Sequence, residues 1–557
     1  MNISNLKERV SKKLDTQFYN ILDKILIVLI FISVLIFILW PIMSVIKESF
    51  FKNGSFTLDL YKNIFMDNRK IIKNSLFISI VCTIITTILS TCISIYISFS
   101  NKKVKKVILI ILMLTMISPP FVSSLSYITL FGRRGLITHK LLNLTLNTYG
   151  WQGIVIMESL SFIPLSTLIM IGIINGIDTR VIDASLDLGA SISETIIKIV
   201  IPLMKPAIVV CALLVFVRSL SDFGTPMIIG GSFTVLATEV YTNVISNGNF
   251  KVAAVMSVLI LIPALVAFIF YRIYMKDTNV FSKEKGQLFK EGSRYKLKGS
   301  MKFIFSFVTY LFVIIMLLQY TAIFIQAITK FKYGKIYLTL DNIKSMAEYS
   351  MGSFGRSIIY SLIVAVVGSF LGVIISYFVD RRKIIGMKYI DFIATLPYIV
   401  PGTFFGIGYI LAFNKYPLEL TGTSFIVIVN CIFKQLPMTT KMGSAVLTQV
   451  DQEIEQASKD LGASNIVVIK DIILPMLKPA FISGFINNFT ATMTTIGSII
   501  FLIYPGEKVA TVEMFNSIQS GEYGVGAAMA TFIIIITLTI NILFSKRLLG
   551  GKNVFQS

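Results

Sequence analysis

Two stretches of the sequence repeat one set of acidic or amide, small, glycine and proline residues at one spacing. The first runs from Asp183 to Ala207 and the second from Gln456 to Ala480, and they are identical at 13 of 25 positions. These residue types suit a mechanical role rather than bond-making chemistry. Glycine closes a helix by adopting a left-handed conformation, serine caps the next helix, and proline suits a first helical turn. The pattern predicts two short helix–turn–helix hairpins.

Three features define the pattern in each stretch: an acid or amide followed by Ala-Ser, then a glycine, then a proline. In the second stretch the first position is an amide, and Glu455 lies one position earlier. The candidate residues are Asp183, Ala184, Ser185, Gly189 and Pro202 in the first stretch, and Gln456, Ala457, Ser458, Gly462 and Pro475 in the second.

Four further polar residues lie in, or at the end of, strongly apolar segments: Glu158, Asp222, Asn487 and Asn488. Polar side chains are costly in lipid and usually face the protein interior. They either line a pathway through the protein or hold helices together by hydrogen bonds, and the sequence leaves both interpretations open.

Residues that do covalent or metal chemistry are scarce. The four cysteines lie inside apolar segments without close pairing, and His139 is the only histidine. This composition favours neither disulfides nor a metal site, and it offers no catalytic constellation. The sequence also lacks the phosphate-binding G-x-x-x-x-G-K-[ST] loop. We therefore expect no enzyme activity and no cofactor.

The hydrophobic and charged content of the chain indicates whether water or lipid surrounds the elements that carry these residues. The chain of 557 residues is 55% hydrophobic and 14% charged, against about 25% charged in ordinary soluble domains. Most of it must be solvated by lipid. The net charge of +22 comes mainly from short basic runs between apolar stretches. That distribution indicates membrane topology and contact with anionic lipid, and it argues against nucleic-acid binding.

The apolar runs are continuous rather than alternating, so they predict helices and not the strands of a barrel. We expect an all-α integral membrane protein with about twelve spans. They lie near 25–46, 74–98, 107–131, 151–175, 199–221, 252–274, 303–328, 357–379, 389–413, 423–446, 473–503 and 526–545. The first run is too long for a signal peptide and is interpreted as a retained helix. The Lys/Arg bias places both termini in the cytoplasm.

The repeat extends beyond the two hairpins. A shift of 273 residues also pairs Pro164 with Pro437 and Gly224 with Gly497, and the early spans pair Ser75-Leu76 with Ser361-Leu362. We expect a first repeat over 1–275, a basic cytoplasmic linker over 276–302 and a second repeat over 303–557. Six spans per half make the repeats parallel, with a pathway between them.

The hairpin pattern resembles the cytoplasmic EAA signature of ABC-importer permeases, over residues 183–207 and 456–480. The resemblance implies two parallel six-helix permease repeats of the type I importer fold, in a bacterial inner or plasma membrane. It implies that each hairpin docks in a cleft of an ATPase subunit. Two hairpins on one chain then imply two separate ATPase subunits, with an extracytoplasmic protein that delivers the substrate.

The fused pair of repeats resembles ferric-iron permeases, with thiamine and 2-aminoethylphosphonate permeases as relatives of that group. The segments that carry this likeness include Leu396 to Gly402 and Leu220 to Pro226. Ferric iron is the first expectation, and the other solutes are the alternatives. An ion-coupled secondary transporter is the alternative of another class. It predicts intramembrane carboxylates for ion coupling and does not explain paired hairpins.

Overall fold

The computed structural model describes residues 21–276 and 295–548, apart from 53, 134, 145–146, 333–334, 383, 385 and 505. The described chain is dominated by helices, and its strands form two short antiparallel hairpins. The expected all-α membrane fold is confirmed. Residues 1–20, most of the predicted linker 276–302 and residues 549–557 lie outside the described residues.

The helices of the first repeat are α1 (Ile21–Phe50), α2 (Asp59–Asp67), α3 (Arg69–Ser98), α4 (Lys102–Ile117), α5 (Phe121–Phe131), α6 (Trp151–Asn175), α7 (Thr179–Asp187), α8 (Ile192–Ser221), α9 (Gly224–Ile229), α10 (Leu236–Ile245) and α11 (Phe250–Lys276). A π-helical turn, Leu136–Leu141, follows α5. Strands β1 (Phe51–Lys52) and β2 (Ser55–Phe56) form a hairpin after α1.

The second repeat contains α12 (Gly299–Ala327), α13 (Asp341–Asp380), α14 (Met387–Ile399), α15 (Gly402–Phe413), α16 (Ser424–Leu447), α17 (Glu453–Asp460), α18 (Asn465–Val468), α19 (Lys478–Thr494), α20 (Ala510–Gln519) and α21 (Tyr523–Leu548). A π-helical segment, Ile469–Ile473, and a turn, Leu474–Met476, join α18 to α19. Strands β3 (Thr329–Lys332) and β4 (Lys335–Leu338) form the hairpin after α12.

Helices lie at all twelve expected span positions, but they differ in how long and apolar they are. Eight helices within the described residues are long and apolar enough to cross a membrane, or ten if each of two bent pairs is one span. The expected span 423–446 is present as α16, but this helix carries Lys434 and Lys441 and is not among those counted.

The expected span 473–503 is wrong in its bounds. Leu477 leaves the helical conformation, α19 begins at Lys478, and its last helical residue is Thr494. Pro479 lies in the first turn of α19, where its missing N–H is tolerated. Thr495 is extended, so the chain near Gly497 turns rather than continuing the helix.

Both expected third spans are bent. The α4–α5 pair bends by 104° and the α14–α15 pair by 116°. Pro119, Pro120 and Pro401 lie at these breaks, because proline lacks the donor that would continue the helix. At the second bend, the Lys434 ammonium donates to the carbonyl oxygens of Pro397 and Val400, at 2.7 and 2.6 Å. Carbonyls that the break leaves unpaired in an apolar setting are thereby satisfied.

Contacts between early and late spans correct the predicted register of the repeat. The Ser75 hydroxyl accepts from the Leu236 N–H at 2.7 Å, and the Ser357 hydroxyl accepts from the Ala510 N–H at 2.8 Å. Each hydroxyl thus accepts from the first residue of an equivalent helix, α10 in the first repeat and α20 in the second. Ser75 is therefore equivalent to Ser357 and not to Ser361, so the predicted register was one helical turn out.

The first helix of each repeat packs against the other repeat. The Tyr409 hydroxyl of α15 donates to the Phe37 carbonyl of α1 at 2.7 Å. In the reverse direction, the Tyr96 hydroxyl of α3 donates to the Tyr310 hydroxyl of α12 at 3.1 Å. Hydrogen bonds between membrane helices contribute about 0.6 kcal/mol each on average. Exchange of the two first helices thus joins the halves into one body.

Candidate functional site

The first helical hairpin, residues 178–195, is built by local capping. The Asp178 carboxylate accepts from the Arg180 N–H at 2.9 Å and begins α7. Gly189 ends that helix with φ +86°. Ser191 and Glu194 then form a reciprocal capping box: the Ser191 hydroxyl accepts from the Glu194 N–H, and the Glu194 carboxylate accepts from the Ser191 N–H at 2.9 Å. The predicted glycine stop and serine cap are confirmed.

The second helical hairpin, residues 451–468, follows the same design. Gly462 ends α17 with φ +88°, and the Ser464 hydroxyl accepts from the Val467 N–H at 3.5 Å. The position equivalent to Glu194 is Val467, so this hairpin has no reciprocal carboxylate bond. At both glycines an added Cβ would meet nothing within 4 Å. Backbone conformation, not crowding, therefore requires glycine there.

A leucine that sequence reasoning did not select lies at the tip of each hairpin. Leu188 is 89% exposed and Leu461 is 90% exposed, each directly before the glycine stop. Both leucines occur in the shared Leu-Gly-Ala-Ser run, so the repeat itself carried the signal. These two exposed apolar side chains therefore mark equivalent points on the two helical hairpins.

The other predicted hairpin residues lie in the two hairpins or in the turns that follow them. The Asp183 carboxylate accepts from the Tyr295 hydroxyl at 2.5 Å, and the Ser185 and Thr195 hydroxyls are 2.9 Å apart. The Ser458 hydroxyl donates to the Ile454 carbonyl at 2.7 Å. The side chains of Ala184, Gln456, Ala457, Pro202 and Pro475 are exposed.

Glu455, and not the neighbouring Gln456, makes the polar contact between the second helical hairpin and the rest of its repeat. It is 8% exposed, and its carboxylate lies 3.8 Å from Arg381 Nε and 3.4 Å from the Tyr377 hydroxyl. Arg381 also donates to the carbonyl oxygens of Leu447 and Val450 at the end of α16. The second helical hairpin is thus fastened to its own repeat by a buried charged group.

Each hairpin leads into a π-helical segment directly before the helix turn that carries the predicted proline. The two segments are Ile196–Val200 and Ile469–Ile473, and they precede Pro202 and Pro475. A wider turn accommodates a proline ring that would clash with the preceding turn of a regular α-helix. In the first repeat, the helix then runs unbroken to Ser221.

A cavity of about 210 Å³, here called the central chamber, lies between the two repeats. Its walls are residues 221–224 and 120–121 of the first repeat, with 402–403 and 494–497 of the second. Residues 221–224 and 494–497 are equivalent by the 273-residue shift. The chamber therefore lies where the pseudo-twofold axis of the repeats passes through the protein.

The structure places one of the four predicted pathway residues, Asp222, in the chamber wall. Glu158 is 1% exposed and accepts a hydrogen bond from the Ser219 hydroxyl, which joins α6 to α8. The Asn488 amide donates to the Ser369 hydroxyl at 3.2 Å and joins α19 to α13. The Asn487 amide nitrogen is buried and finds no hydrogen-bond partner within the described part of the chain.

Two parallel helical repeats, exchanged first helices and a chamber on the axis between them define a two-repeat membrane permease. The chain belongs to the family described as binding-protein-dependent transport system inner membrane components, which matches residues 90–279 and 366–545. It is therefore a multi-pass membrane protein of a transport system, and the family implies ATPase and substrate-binding partners. The members to which it is similar are transport permeases rather than enzymes.

Two relatives cover most of the chain. It is 30% identical over 547 residues to the ferric transport system permease protein FbpB of Actinobacillus pleuropneumoniae, covering 95% of this chain and 78% of the relative. It is 31% identical over 494 residues to a putative ferric transport system permease protein FbpB 1 of Haemophilus influenzae, covering 86% and 78%. A shorter match, 22% identical, covers 43% of this chain and 92% of the sulfate transport system permease protein CysT of Salmonella typhimurium.

Proposed function

We propose that this chain is the permease subunit of an ATP-driven importer and that its two helical hairpins dock onto two ATPase subunits. The observation that carries the proposal is the pair of exposed leucines, Leu188 and Leu461, at equivalent tips. Burial of one leucine side chain in a partner's cleft contributes about 1.5–3 kcal/mol. Since each chain presents two tips, the expected stoichiometry is two ATPase subunits per permease.

The route of force follows from the helices that leave the hairpins. α8 begins directly after Gly189-Ala190-Ser191 and ends at Ser221, beside Asp222 in the chamber wall. Thirty residues of helix span about 45 Å at 1.5 Å per residue. When the ATPase subunits close and reopen, rigid-body movement of the hairpin reaches the chamber along this helix. In the second repeat the break at Leu477 interrupts the corresponding route.

Orientation is proposed from the charges at the hairpin end of the molecule. Lys102 and Lys103 begin α4, and Arg381 and Arg382 follow α13, at the same end as the two hairpins. The positive-inside rule places this end in the cytoplasm. Both termini then lie in the cytoplasm, and an extracytoplasmic binding protein delivers substrate to the opposite face.

Ferric iron is the proposed substrate. The support is that the two relatives that span most of the chain are named as ferric transport permeases. Shorter matches bear sulfate and 2-aminoethylphosphonate names, and these solutes, with thiamine, are the alternatives. A strain that lacks this permease and is complemented with it should recover uptake of ⁵⁵Fe(III) and not of labelled sulfate, aminoethylphosphonate or thiamine. Recovery of another solute alone would replace iron as the substrate.

The docking proposal is tested by co-purification with the cognate ATPase. Leu188→Asp combined with Leu461→Asp should remove the ATPase from the purified complex, and each single variant should leave about half of it. Leu338→Asp is the matched control, because Leu338 is 81% exposed but lies in the strand hairpin at the opposite end. Full retention of the ATPase by the double variant would refute docking through these tips.

A further inference from the structure

The central chamber has the donor set of a cation site. Asp222 supplies a carboxylate, and residues Ser221, Thr403, Thr494 and Thr495 supply hydroxyls. None of the described residues in the chamber wall is Lys, Arg or His. Carboxylate and hydroxyl oxygens suit hard cations, whereas an oxyanion here would face a carboxylate without a compensating positive charge.

The directions of the hydroxyl hydrogen bonds strengthen this conclusion. The Ser221 hydroxyl donates to the Val217 carbonyl at 2.7 Å, and the Thr494 hydroxyl donates to the Thr490 carbonyl at 2.8 Å. Each hydroxyl proton is thus used in a hydrogen bond within its own helix. The two hydroxyl oxygens can therefore act toward the chamber only as acceptors, through their lone pairs. Lone pairs bind cations and repel anions.

Thr403 provides an independent observation from the opposite repeat. It is 1% exposed and lines the chamber, and its hydroxyl finds no hydrogen-bond partner among the described residues. A buried hydroxyl without a partner costs about 1–3 kcal/mol. A ligand in the chamber toward which the Thr403 side chain turned would satisfy that group.

The size of the chamber restricts what it can hold. Its volume of about 210 Å³ corresponds to roughly seven water molecules at ~30 Å³ each. Pockets for organic ligands usually begin at about 300 Å³. The chamber therefore has room for an ion with part of its water shell.

Asp222 also has a structural role that any test must separate from ligand binding. Its carboxylate accepts from the Gly224 N–H at 2.9 Å, at the start of α9. The amide oxygen of asparagine can accept the same bond, so Asp222→Asn removes the charge while keeping this contact. The equivalent residue in the second repeat is Thr495. The pseudo-symmetry thus offers a second position for the carboxylate in the same chamber.

We propose that the central chamber is a transit site for a hard, oxygen-seeking cation, in which the Asp222 carboxylate faces hydroxyls of both repeats. This proposal rests on the proposed import function and assigns its metal substrate a site at the Asp222 carboxylate, where an oxyanion would be disfavoured. The described residues contain no group of three or more His, Cys, Asp or Glu side chains that could hold a metal ion. The site is accordingly weak, as a transit site must be if the ion is to leave it.

Cationic side chains near the chamber define the competing outcome. Arg218 lies in the last turn of α8, before Asp222, and is exposed. Lys434 of α16 binds the carbonyl oxygens of Pro397 and Val400, close in sequence to Gly402 of the chamber wall. Neither Arg218 nor Lys434 is in the chamber wall. If the cargo were an oxyanion, its binding would depend on Arg218 rather than on Asp222.

The test uses the purified permease–ATPase complex and Tb³⁺, a hard trivalent ion whose luminescence reports binding. Wild type should bind Tb³⁺, and Asp222→Asn should weaken binding about tenfold or more, since one full charge is lost at contact distance. Asp222→Thr combined with Thr495→Asp moves the carboxylate across the axis and should restore most of the affinity. Arg218→Ala should leave Tb³⁺ binding intact.

Two results would overturn the proposal. One is Tb³⁺ binding that is absent in wild type or equal in wild type and Asp222→Asn. The other is binding of labelled sulfate that Arg218→Ala abolishes and Asp222→Asn preserves. The thermal unfolding midpoint of each variant shows whether that variant is folded. If Asp222→Asn does not fold, Tb³⁺ binding by the double variant tests the cation site instead. Retention of the ATPase in the same samples shows that the import function stands even if the cation site fails.

Discussion

Asp23 in the first helix and Arg382 in the second repeat form a bidentate ion pair, with N–O distances of 2.9 and 2.8 Å. Their side chains are 5% and 16% exposed. The Arg382 guanidinium also lies 5.7 Å from the centroid of the Phe378 ring. The adjacent Arg381 contacts Glu455 of the second helical hairpin. The first repeat is thus tied to the base of the hairpin in the second repeat.

Loss of this ion pair should destabilise the permease. Removing one partner of a buried pair costs about 3–5 kcal/mol, because the remaining charge is left uncompensated. Arg382→Ala should therefore lower the thermal unfolding midpoint of the purified protein clearly. The control is Lys441→Ala, whose partner Asp391 is 3.4 Å away and whose side chain is 58% exposed, so little should change. Equal shifts for the two variants would contradict the prediction.

The glycine stops should be needed for their conformation and not for space. Gly189→Ala and Gly462→Ala place a side chain at φ +86° and +88°, which costs about 1–2 kcal/mol. We expect that bulky substitutions at either glycine uncouple ATP hydrolysis from uptake while the membrane fold remains. Gly355→Ala is the control, since its Cβ also meets nothing within 4 Å and its φ is ordinary. Coupling is measured as ATP hydrolysed per substrate imported, and unchanged ratios at both stops would refute the prediction.

The two helical hairpins should differ in their response to acid. Hydrogen bonds from the Ser191 N–H and hydroxyl lower the pKa of Glu194 below the usual glutamate value of 4.5. Since the folded-state pKa is the lower one, the carboxylate stabilises the first hairpin above pH 4.5 and this stabilisation is lost as pH falls through the folded pKa. The protection factors of the backbone amides in residues 188–195, which refer each exchange rate to the intrinsic rate at the same pH, should then fall below that pH.

Matched positions provide the control for this pH dependence. The second helical hairpin has Val467 in place of Glu194, so exchange in residues 461–468 should lack this acid-dependent step. Glu194→Gln should remove the step from the first hairpin. An identical acid response of both hairpins would show that the capping box is not its cause.

Sequence spacing predicted the two helical hairpins well, because the capping interactions that form them join residues close together in the chain. Gly189, Ser191 and Ser464 act on residues within a few positions of themselves, so sequence spacing was sufficient. Contacts between distant segments were out of reach. The pairing of Asp23 with Arg382 depends on how the first helix crosses to the other repeat, and no periodicity encodes that crossing.

The errors have equally specific causes. The predicted span 473–503 is too long because hydropathy does not register that the helix ends at Thr494 and the chain becomes extended at Thr495. Ser75 was paired one turn out because a run of Ile and Leu aligns almost equally well at several shifts, and only the hydrogen bonds from the Leu236 and Ala510 N–H groups fix the register. Among the polar residues proposed for the pathway, composition could not separate Asp222 in the chamber wall from Glu158, whose carboxylate joins two helices.

The chamber wall should tolerate substitution unequally in the two repeats. A Cβ added at Gly224 would lie 2.3 Å from Phe121 Cε1, whereas one added at the equivalent Gly497 would meet nothing closer than 3.6 Å. Gly224→Ala therefore forces the Phe121 ring to move, at a cost of about 1–3 kcal/mol. Because that ring forms part of the chamber wall, transport should fall more than stability does.

Gly497→Ala should leave both transport and stability close to wild type, since the new methyl group makes ordinary contact with Phe223. Combining Gly224→Ala with Phe121→Leu should restore transport, because the smaller side chain frees the space that the methyl group takes. Uptake and thermal unfolding of the three variants separate the possibilities. If Gly224→Ala transported normally, or if Gly497→Ala were equally impaired, the contact between Phe121 and Gly224 would not shape the pathway, and the chamber would lose its place in the transport cycle.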